Sequence, residues 1–211
     1  MKRWVLIISY KYLIKDFLRL FVGVKFFNNK CLQKETQFIL VANHNSHLDT
    51  MSILSAMPHS IIDKVKPVAA QDHFGKTKWQ TWLSNYFVNT LLIQRKSDKE
   101  HPENDPIYKM DKAIKEGYSL LIFPEGTRGE PDKPKEYKAG VAIVLKKNPN
   151  VPYVPIYLKG MGKAMPKGDN LIVPFESTVV FGTPRKIQSD NVELILQQMR
   201  NDIEELQNLI Q

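Results

Sequence analysis

The 211-residue chain has a single cysteine, Cys31, which excludes an internal disulfide and fits a reducing compartment. No apolar run is long enough to cross a bilayer. The opening run from Trp4 to Tyr10 gives way to Lys11, Lys15, Asp16 and Arg19, whereas a span needs about 20 mostly apolar residues. No small-x-small cleavage site follows it, so a signal peptide is not expected. The sequence also has no metal-ligand spacing and no G-x-S-x-G nucleophile turn, which argues against a metallohydrolase or a serine hydrolase. It has no internal repeat and no linker that would separate a second domain. Stacking aromatics do not alternate with basic residues and no nucleic-acid motif occurs, so nucleic acid is not an expected partner. Acidic residues are the scarcer charge: 22 Asp and Glu against 30 Lys and Arg leave a formal charge of +8. That balance favours anionic partners such as phosphates, acidic lipid headgroups or an acidic carrier protein.

The remainder is globular in type, with 43% apolar and 25% charged residues. From Trp4 to Phe27, large apolar side chains surround Lys11, Lys15 and Arg19, which are spaced four apart. At 3.6 residues per turn the cations form a stripe beside an apolar face of Leu6, Ile7, Tyr10, Ile14, Phe17, Leu18 and Phe21. Such a helix either packs on the domain or lies in a membrane interface. Aromatics and a basic stripe together favour the interface, with Gly23 as a point where one helix becomes two. Residues 1–27 are therefore expected to be an amphipathic membrane-binding element, and residues 28–211 one domain.

Within that domain strand and helix patterns alternate, which predicts an α/β fold. Strands are expected at Phe38–Ala42, Val65–Ala70, Thr90–Ile93, Tyr118–Phe123 and Tyr153–Leu158, with one or two more between Leu171 and Phe181. Helices are expected at Thr50–Met57, Phe74–Phe87, Pro106–Gly117, Ala139–Lys147 and Val192–Ile210. Asp105-Pro106 supplies the cap of the third, and Ser189-Asp190 that of the last.

Two polar knots interrupt this pattern, each after a strand. The first is Asn43-His44-Asn45-Ser46-His47-Leu48-Asp49. On a regular helix His44 and Asp49 would lie about 140° apart, so they meet only if His44 precedes the helix. Two readings follow from the spacing. Asp49 orients His44 as a general base, or Ser46 to Asp49 is a capping box whose carboxylate bonds only backbone amides. The second knot, Pro124 to Gly129, sets Arg128 between two glycines, and Arg95 follows another strand directly. Two arginines at strand ends suit one phosphate; Glu125 would then bond a substrate hydroxyl or orient Arg128. Taken alone, the second knot reads equally as a polar turn with a surface arginine.

Together the knots resemble the signatures of the glycerolipid acyltransferases. N-H-N-S-H-L-D is similar to that family's N-H-x-S-x-x-D block, and Phe123 to Gly129 reads F-P-E-G-T-R-G, its second signature. Ile93-Gln94-Arg95 resembles the block with a phosphate-contacting arginine, Tyr137-Lys138-Ala139-Gly140 the aromatic-Lys-x-Gly segment, and Val154-Pro155-Ile156 with Gly160 the last block. Asn89 stands where the family commonly has glycine, and Val68-Ala69-Ala70-Gln71 lacks the lysine often found after the second strand.

The resemblance, which covers residues 38 to 185, implies a mixed central sheet flanked by helices and acyl transfer to a lysophospholipid, typically 1-acylglycerol 3-phosphate. The donor would be an acyl-carrier protein or acyl-CoA thioester, with no metal and no other cofactor. His44 would be the base and Asp49 its orienting group; Arg95, Glu125, Gly126, Thr127 and Arg128 would bind the acceptor. An enzyme of this kind is expected at the cytoplasmic face of an anionic membrane, peripheral or monotopic. Lyso-ornithine or lyso-glycine lipids are alternative acceptors; a thioesterase and a non-catalytic basic membrane-binding module are rival readings.

Overall fold

A computed structural model describes residues 2–71, 88–95, 101–129, 135–166 and 171–210. The chain opens with a helical run: α1 (Lys2–Ile7), a π-helical stretch over Ile8–Ile14, α2 (Lys15–Phe17) and a second π-helical stretch over Leu18–Val22. Strand β1 (Val24–Phe27) follows, then β2 (Ile39–Ala42), α3 (Leu48–Ala56), β3 (Val65–Ala70) and β4 (Leu91–Ile93). The second half holds α4 (Pro106–Lys115), β5 (Ser119–Ile122), α5 (Gly140–Lys147), β6 (Tyr153–Lys159), α6 (Met161–Ala164), β7 (Ser177–Phe181) and α7 (Val192–Asn208).

Among the described residues the strands form one seven-stranded sheet in the order β1-β7-β6-β2-β5-β3-β4. From β6 to β4 every pair is parallel, β6 and β7 are antiparallel, and β1 pairs parallel with β7. The sheet is mixed, as expected. The central strands read as unbroken apolar runs because helices cover both faces. Phe38, Leu40 and Ala42 pack with α3 and the N-terminal run, whereas Ile39 and Val41 pack with α4, α5 and α7. Strand alternation thus divides two cores between the faces of one sheet.

The N-terminal run departs from the expected wheel. Leu6, Ile7, Tyr10, Leu18 and Val22 are buried in the core, while Trp4, Ile8, Leu13, Phe17, Leu20 and Phe21 are exposed. Phe17 and Phe21 therefore do not share a face with Leu6 and Tyr10. Each π-helical hydrogen bond spans one residue more than an α-helical one, so side chains after Ile7 leave the 100° register on which the wheel was drawn. The cationic stripe breaks for the same reason. Lys11 turns toward the domain and donates to Ser55 O at 3.0 Å, Lys15 lies over the Phe26 ring at 5.9 Å, and Arg19 stays exposed. The helical element also ends at Val22 instead of residue 27, because Val24–Phe27 is drawn into the sheet beside β7. Among the described residues, no helix is long and apolar enough to cross a membrane.

Other boundaries follow local chemistry. Asp105 caps α4 as expected, its Oδ1 accepting from Ile107 N at 2.8 Å and Tyr108 N at 3.1 Å. The cap of α7 is Asn191, not Ser189 or Asp190. The helix starts at Val192, so only Asn191 is close enough to accept from Glu193 N and Leu194 N, while Ser189 Oγ accepts from Asn191 N. Between Leu171 and Phe181 only Ser177–Phe181 forms a strand. The helix expected over Phe74–Phe87 lies outside the described residues.

Burial, reinforced by nearby Lys15, pulls the Lys11 ammonium down from its ordinary 10.5 to about 8. The folded state therefore binds fewer protons than the unfolded chain between those values, and stability contributed by this site rises with pH through that window. In urea titrations from pH 7.5 to 10, the wild type should gain stability relative to Lys11→Met. A difference between the two that does not change with pH would mean that Lys11 keeps its charge in the fold.

Candidate active site

The two knots meet because of strand order. From β2 the chain passes through α3 to β3, beyond β5; from β5 it passes through α5 to β6, on the other side of β2. Connections leaving adjacent parallel strands in opposite directions open a crevice at the strands' carboxyl ends. Val41 is in register with Ile122. The next residues, Asn43 to Asp49 and Phe123 to Gly129, therefore face each other across it.

Asn43 extends the sheet beyond β2. Its amide donates to Leu158 O at 2.9 Å and accepts from Leu158 N at 2.8 Å, so a side chain takes the place of a backbone pair. The loop then turns, and His44 precedes α3 as the geometry requires. His44 Nδ1 lies 2.9 Å from Asp49 Oδ2. The same oxygen accepts from Asn45 N at 2.7 Å and Ser46 N at 2.8 Å. The carboxylate–imidazole pair and the helix cap are thus one arrangement: the carboxylate holds the turn through two amides and the ring through the third donor. Ser46 Oγ accepts from Leu48 N at 3.2 Å and donates to Met165 O at 2.9 Å, tying the turn to the end of α6. Asp49 is fully buried, while the His44 side chain is 19% exposed and so open to a substrate on its other edge. Phe123 stacks on the imidazole, with ring centroids 4.0 Å apart and planes 17° apart.

The second loop braces the first. Gly129 N donates to His44 O at 2.7 Å, and His44 N donates to Glu125 Oε1 at 3.1 Å, so both backbone groups of His44 are held. Glu125 is buried, and burial pushes its carboxyl up from the ordinary value against the opposing His44 amide. One of its oxygens is therefore committed to the loop. A β-carbon at Gly129 would come within 3.2 Å of Asn45 Oδ1 and of Glu125 Oε2, so glycine permits the close approach of the two knots. Gly126 has φ +70°, where an L side chain is strained, and a β-carbon there would press on Lys138 at 2.8 Å. Lys135 Nζ donates to Arg128 O at 3.1 Å and reaches Thr127 Oγ1 at 3.4 Å. Arg128 is half-buried, while Gly126 and Thr127 are exposed at the mouth of the loop.

Arg95 is exposed at the carboxyl end of β4, on the same edge of the sheet as Arg128. Two strand spacings, roughly 10 Å, separate β4 from β5, so a shared ligand would need both side chains extended toward it. Asn89, in the place of the family's glycine, has φ +57° and donates to Asp63 O at 2.9 Å and Val65 O at 3.0 Å. Asparagine is among the few non-glycine residues at ease in this conformation. The backbone therefore takes the shape that glycine would allow.

A cavity of about 490 Å³ opens on the β6 side of the knots, reaching Asn43, Asn45 and Glu125. Its far wall is the C-terminal half of α7, with Arg200, Glu204 and Gln207. Neither this wall nor the Phe123 ring was assigned a role from sequence. The polar residues of α7 at spacings of four and three were the one available signal, and they read equally as a solvated face.

A family model described as Acyltransferase matches residues 23–159. A chloroplastic 1-acyl-sn-glycerol-3-phosphate acyltransferase of Brassica napus is 29% identical over 182 residues, covering 83% of this chain and 48% of that protein. The 1-acyl-sn-glycerol-3-phosphate acyltransferase of Bacillus subtilis is 26% identical over 140 residues, covering 66% of this chain and 65% of the other. The chain thus spans about half to two thirds of the length of these relatives. The crystal structure of the 1-acyl-sn-glycerophosphate (LPA) acyltransferase PlsC from Thermotoga maritima superposes with a TM-score of 0.66 at 23% identity, covering 87% of this chain and 72% of that one. That likeness fixes the fold.

The double use of Asp49 has a consequence that needs no substrate to measure. Asp49→Ala removes the acceptor of two backbone amides and should cost about 1–2 kcal/mol in urea unfolding. Asp49→Asn keeps a carbonyl oxygen for those amides and should cost less. Equal losses would show that the carboxylate does not cap the turn.

Proposed function

The chain belongs to the Acyltransferase family, and on that premise we propose that it transfers a fatty acyl group from a thioester to the free hydroxyl of a lysophospholipid, with 1-acylglycerol 3-phosphate as acceptor. The observation that carries this reading is the 2.9 Å contact between His44 Nδ1 and the buried Asp49 Oδ2 at the crevice of the sheet.

Asp49 accepts a hydrogen bond from Nδ1–H, which leaves Nε2 as the basic edge and stabilises the imidazolium that forms next. Nε2 takes the proton of the acceptor hydroxyl, and the alkoxide attacks the thioester carbonyl carbon. The tetrahedral intermediate collapses with cleavage of the C–S bond, and the imidazolium returns its proton to the departing thiolate. The products are an ester and a free thiol, with no covalent enzyme intermediate. Gly126, Thr127 and Arg128 hold the acceptor phosphate, with Arg95 as a further cation at the same edge, and Glu125 keeps their loop against His44. Phe123 limits rotation of the imidazole, so the base stays aimed at the hydroxyl.

A lysolipid acceptor resides in a bilayer, and the exposed face of the N-terminal run suits one. Trp4, Leu13, Leu20 and Phe21 are 64 to 79% exposed, with Arg19 exposed beside them. This face rests in the interface of an anionic membrane on its cytoplasmic side, where thioester donors are held.

Purified protein given acyl-CoA or acyl-carrier protein and a panel of lysolipids should acylate 1-acylglycerol 3-phosphate. His44→Ala should lose about 10²–10⁴-fold in rate while keeping the wild-type circular dichroism. Wild-type turnover in that variant sinks the mechanism. Preference for a lyso-ornithine or lyso-glycine lipid would reassign the acceptor, and thioester cleavage at the same rate without any acceptor would reassign the enzyme as a thioesterase. For the membrane face, Leu20→Glu with Phe21→Glu should lower co-sedimentation with anionic vesicles several-fold without unfolding the chain, since neither side chain is in the core. Unchanged sedimentation would remove the interfacial role.

A further inference from the structure

Leu171-Ile172-Val173-Pro174-Phe175 is an apolar run that forms no strand. Ile172 packs against the core, whereas Leu171, Val173 and Phe175 are 66, 47 and 40% exposed and Pro174 is exposed beside them. Apolar side chains gathered at a surface are disfavoured in water unless something covers them, and a contiguous patch of this kind marks a contact surface.

The run is tied to two parts of the molecule. Phe175 N donates to Val22 O at 3.2 Å, which sets it beside the end of the N-terminal run. There Leu20 and Phe21 are exposed, and Phe17 stacks on Phe21 with ring centroids 5.5 Å apart. Val173 N donates to Ala164 O at 2.8 Å, and the next residue along, Met165, accepts from Ser46 Oγ at 2.9 Å. One apolar surface, built from Phe17, Leu20, Phe21, Leu171, Val173 and Phe175, is thus joined through the end of α6 to the turn that carries His44.

Sheet order puts this surface on the edge that holds the knots. β7 runs antiparallel to β6, so Thr178 stands beside Lys159 at the carboxyl end of β6, next to the Leu158 backbone that the Asn43 side chain engages. β1 begins at the same edge, with Val24 in register with Ser177. Residues 17–21 and 171–175 therefore emerge where the crevice opens.

The charges around the surface suit a bilayer. Residues 15–25 carry Lys15, Arg19 and Lys25 against Asp16. Residues 171–176 carry only Glu176, which Lys25 holds at 2.6 Å, and Lys163 lies 5.5 Å over the Phe175 ring. Aromatic and aliphatic side chains with cations at their margin match acyl chains beneath anionic headgroups. A lysolipid acceptor also has to leave such a bilayer, and a bilayer at this edge presents it to the crevice directly.

Resting on the acyl-transfer reading above, we infer that residues 171–175 are a second lipid-contacting segment. Together with residues 17–21 they enter the interface of an anionic bilayer and hold the His44 turn at its surface.

A nitrobenzoxadiazole label at Leu171→Cys, in a Cys31→Ser background, reads the contact without turnover. On vesicles of phosphatidylcholine and phosphatidylglycerol its emission should rise and shift to the blue, and lipids brominated in the acyl chain should quench it. The same label at Lys147→Cys, exposed at the end of α5, should do neither. Leu171→Ser with Val173→Ser should weaken vesicle binding about 10-fold and raise the KM for 1-acylglycerol 3-phosphate held in vesicles by a similar factor, while turnover of a short-chain, monomeric acceptor stays within about twofold. An unquenched label at residue 171, or unchanged vesicle binding by the serine variant, overturns the inference and leaves lipid contact to the N-terminal run. An equal loss with the short-chain acceptor overturns it too, since the two residues would then act on the site and not through the bilayer. A label that enters the bilayer on protein that transfers no acyl group would instead sink the proposed reaction and leave the contact surface standing.

Discussion

One carboxylate oxygen, Asp49 Oδ2, determines the geometry of the site. It is fully buried and accepts from two backbone amides and one imidazole nitrogen within 2.9 Å. Removing a carboxylate from water is costly unless several donors replace the lost hydration, and three do. The amides come from Asn45 and Ser46, so the charge is stabilised only when the chain turns between strand and helix as it does. Ring orientation and turn conformation therefore rest on the same charge. The two contacts that the sequence reading opposed, a helix cap and a carboxylate–imidazole pair, are therefore made by the same oxygen.

The part of the fold that could be read from sequence is the part governed by short-range chemistry. β3 occupies Val65–Ala70, as its apolar run and flanking turns imply, and Asp105-Pro106 starts a helix because cap and φ constraint act within three residues. The His44–Asp49 contact was also legible, as a condition: His44 had to precede the helix. What could not be read was phase and neighbourhood. The faces of the N-terminal run depend on π turns that no periodicity of large side chains announces, and they move Lys11 from an expected interface to the carbonyl of Ser55. The Phe123 ring lies on His44 because β2 and β5 are adjacent in the sheet, although more than 70 residues separate them in sequence. The role of α7 as a cavity wall is of the same kind, since it depends on where a distant helix docks.

Departures from the family pattern can be weighed against the backbone. Asn89 has φ +57° and fills two carbonyls with its amide, so the missing glycine costs no change of shape. The lysine often found after β3 is absent here, where uncharged Gln71 follows Ala70. Among the described residues the Arg128 loop has Lys135 and Lys138 beside it as well as the arginine, whose planar donors favour bidentate phosphate geometry over a point charge.

The Arg128 loop also braces His44. Its carbonyl is fixed by Gly129 and its amide by Glu125, the two ends of the loop that carries Arg128. A ligand that draws Arg128 toward itself therefore pulls on the backbone of His44. Rigid coupling of this sort favours catalysis when the bound acceptor leaves the loop where the turn already holds it, because misplacement of about 1 Å at the reacting atoms costs on the order of 10²-fold in rate. The short contacts between the knots, with glycine at 129 where a β-carbon would meet both Asn45 and Glu125 at 3.2 Å, keep that displacement small. The Arg128 loop and the His44 imidazole are consequently held as one unit, anchored at one end by Glu125 and at the other by Asp49.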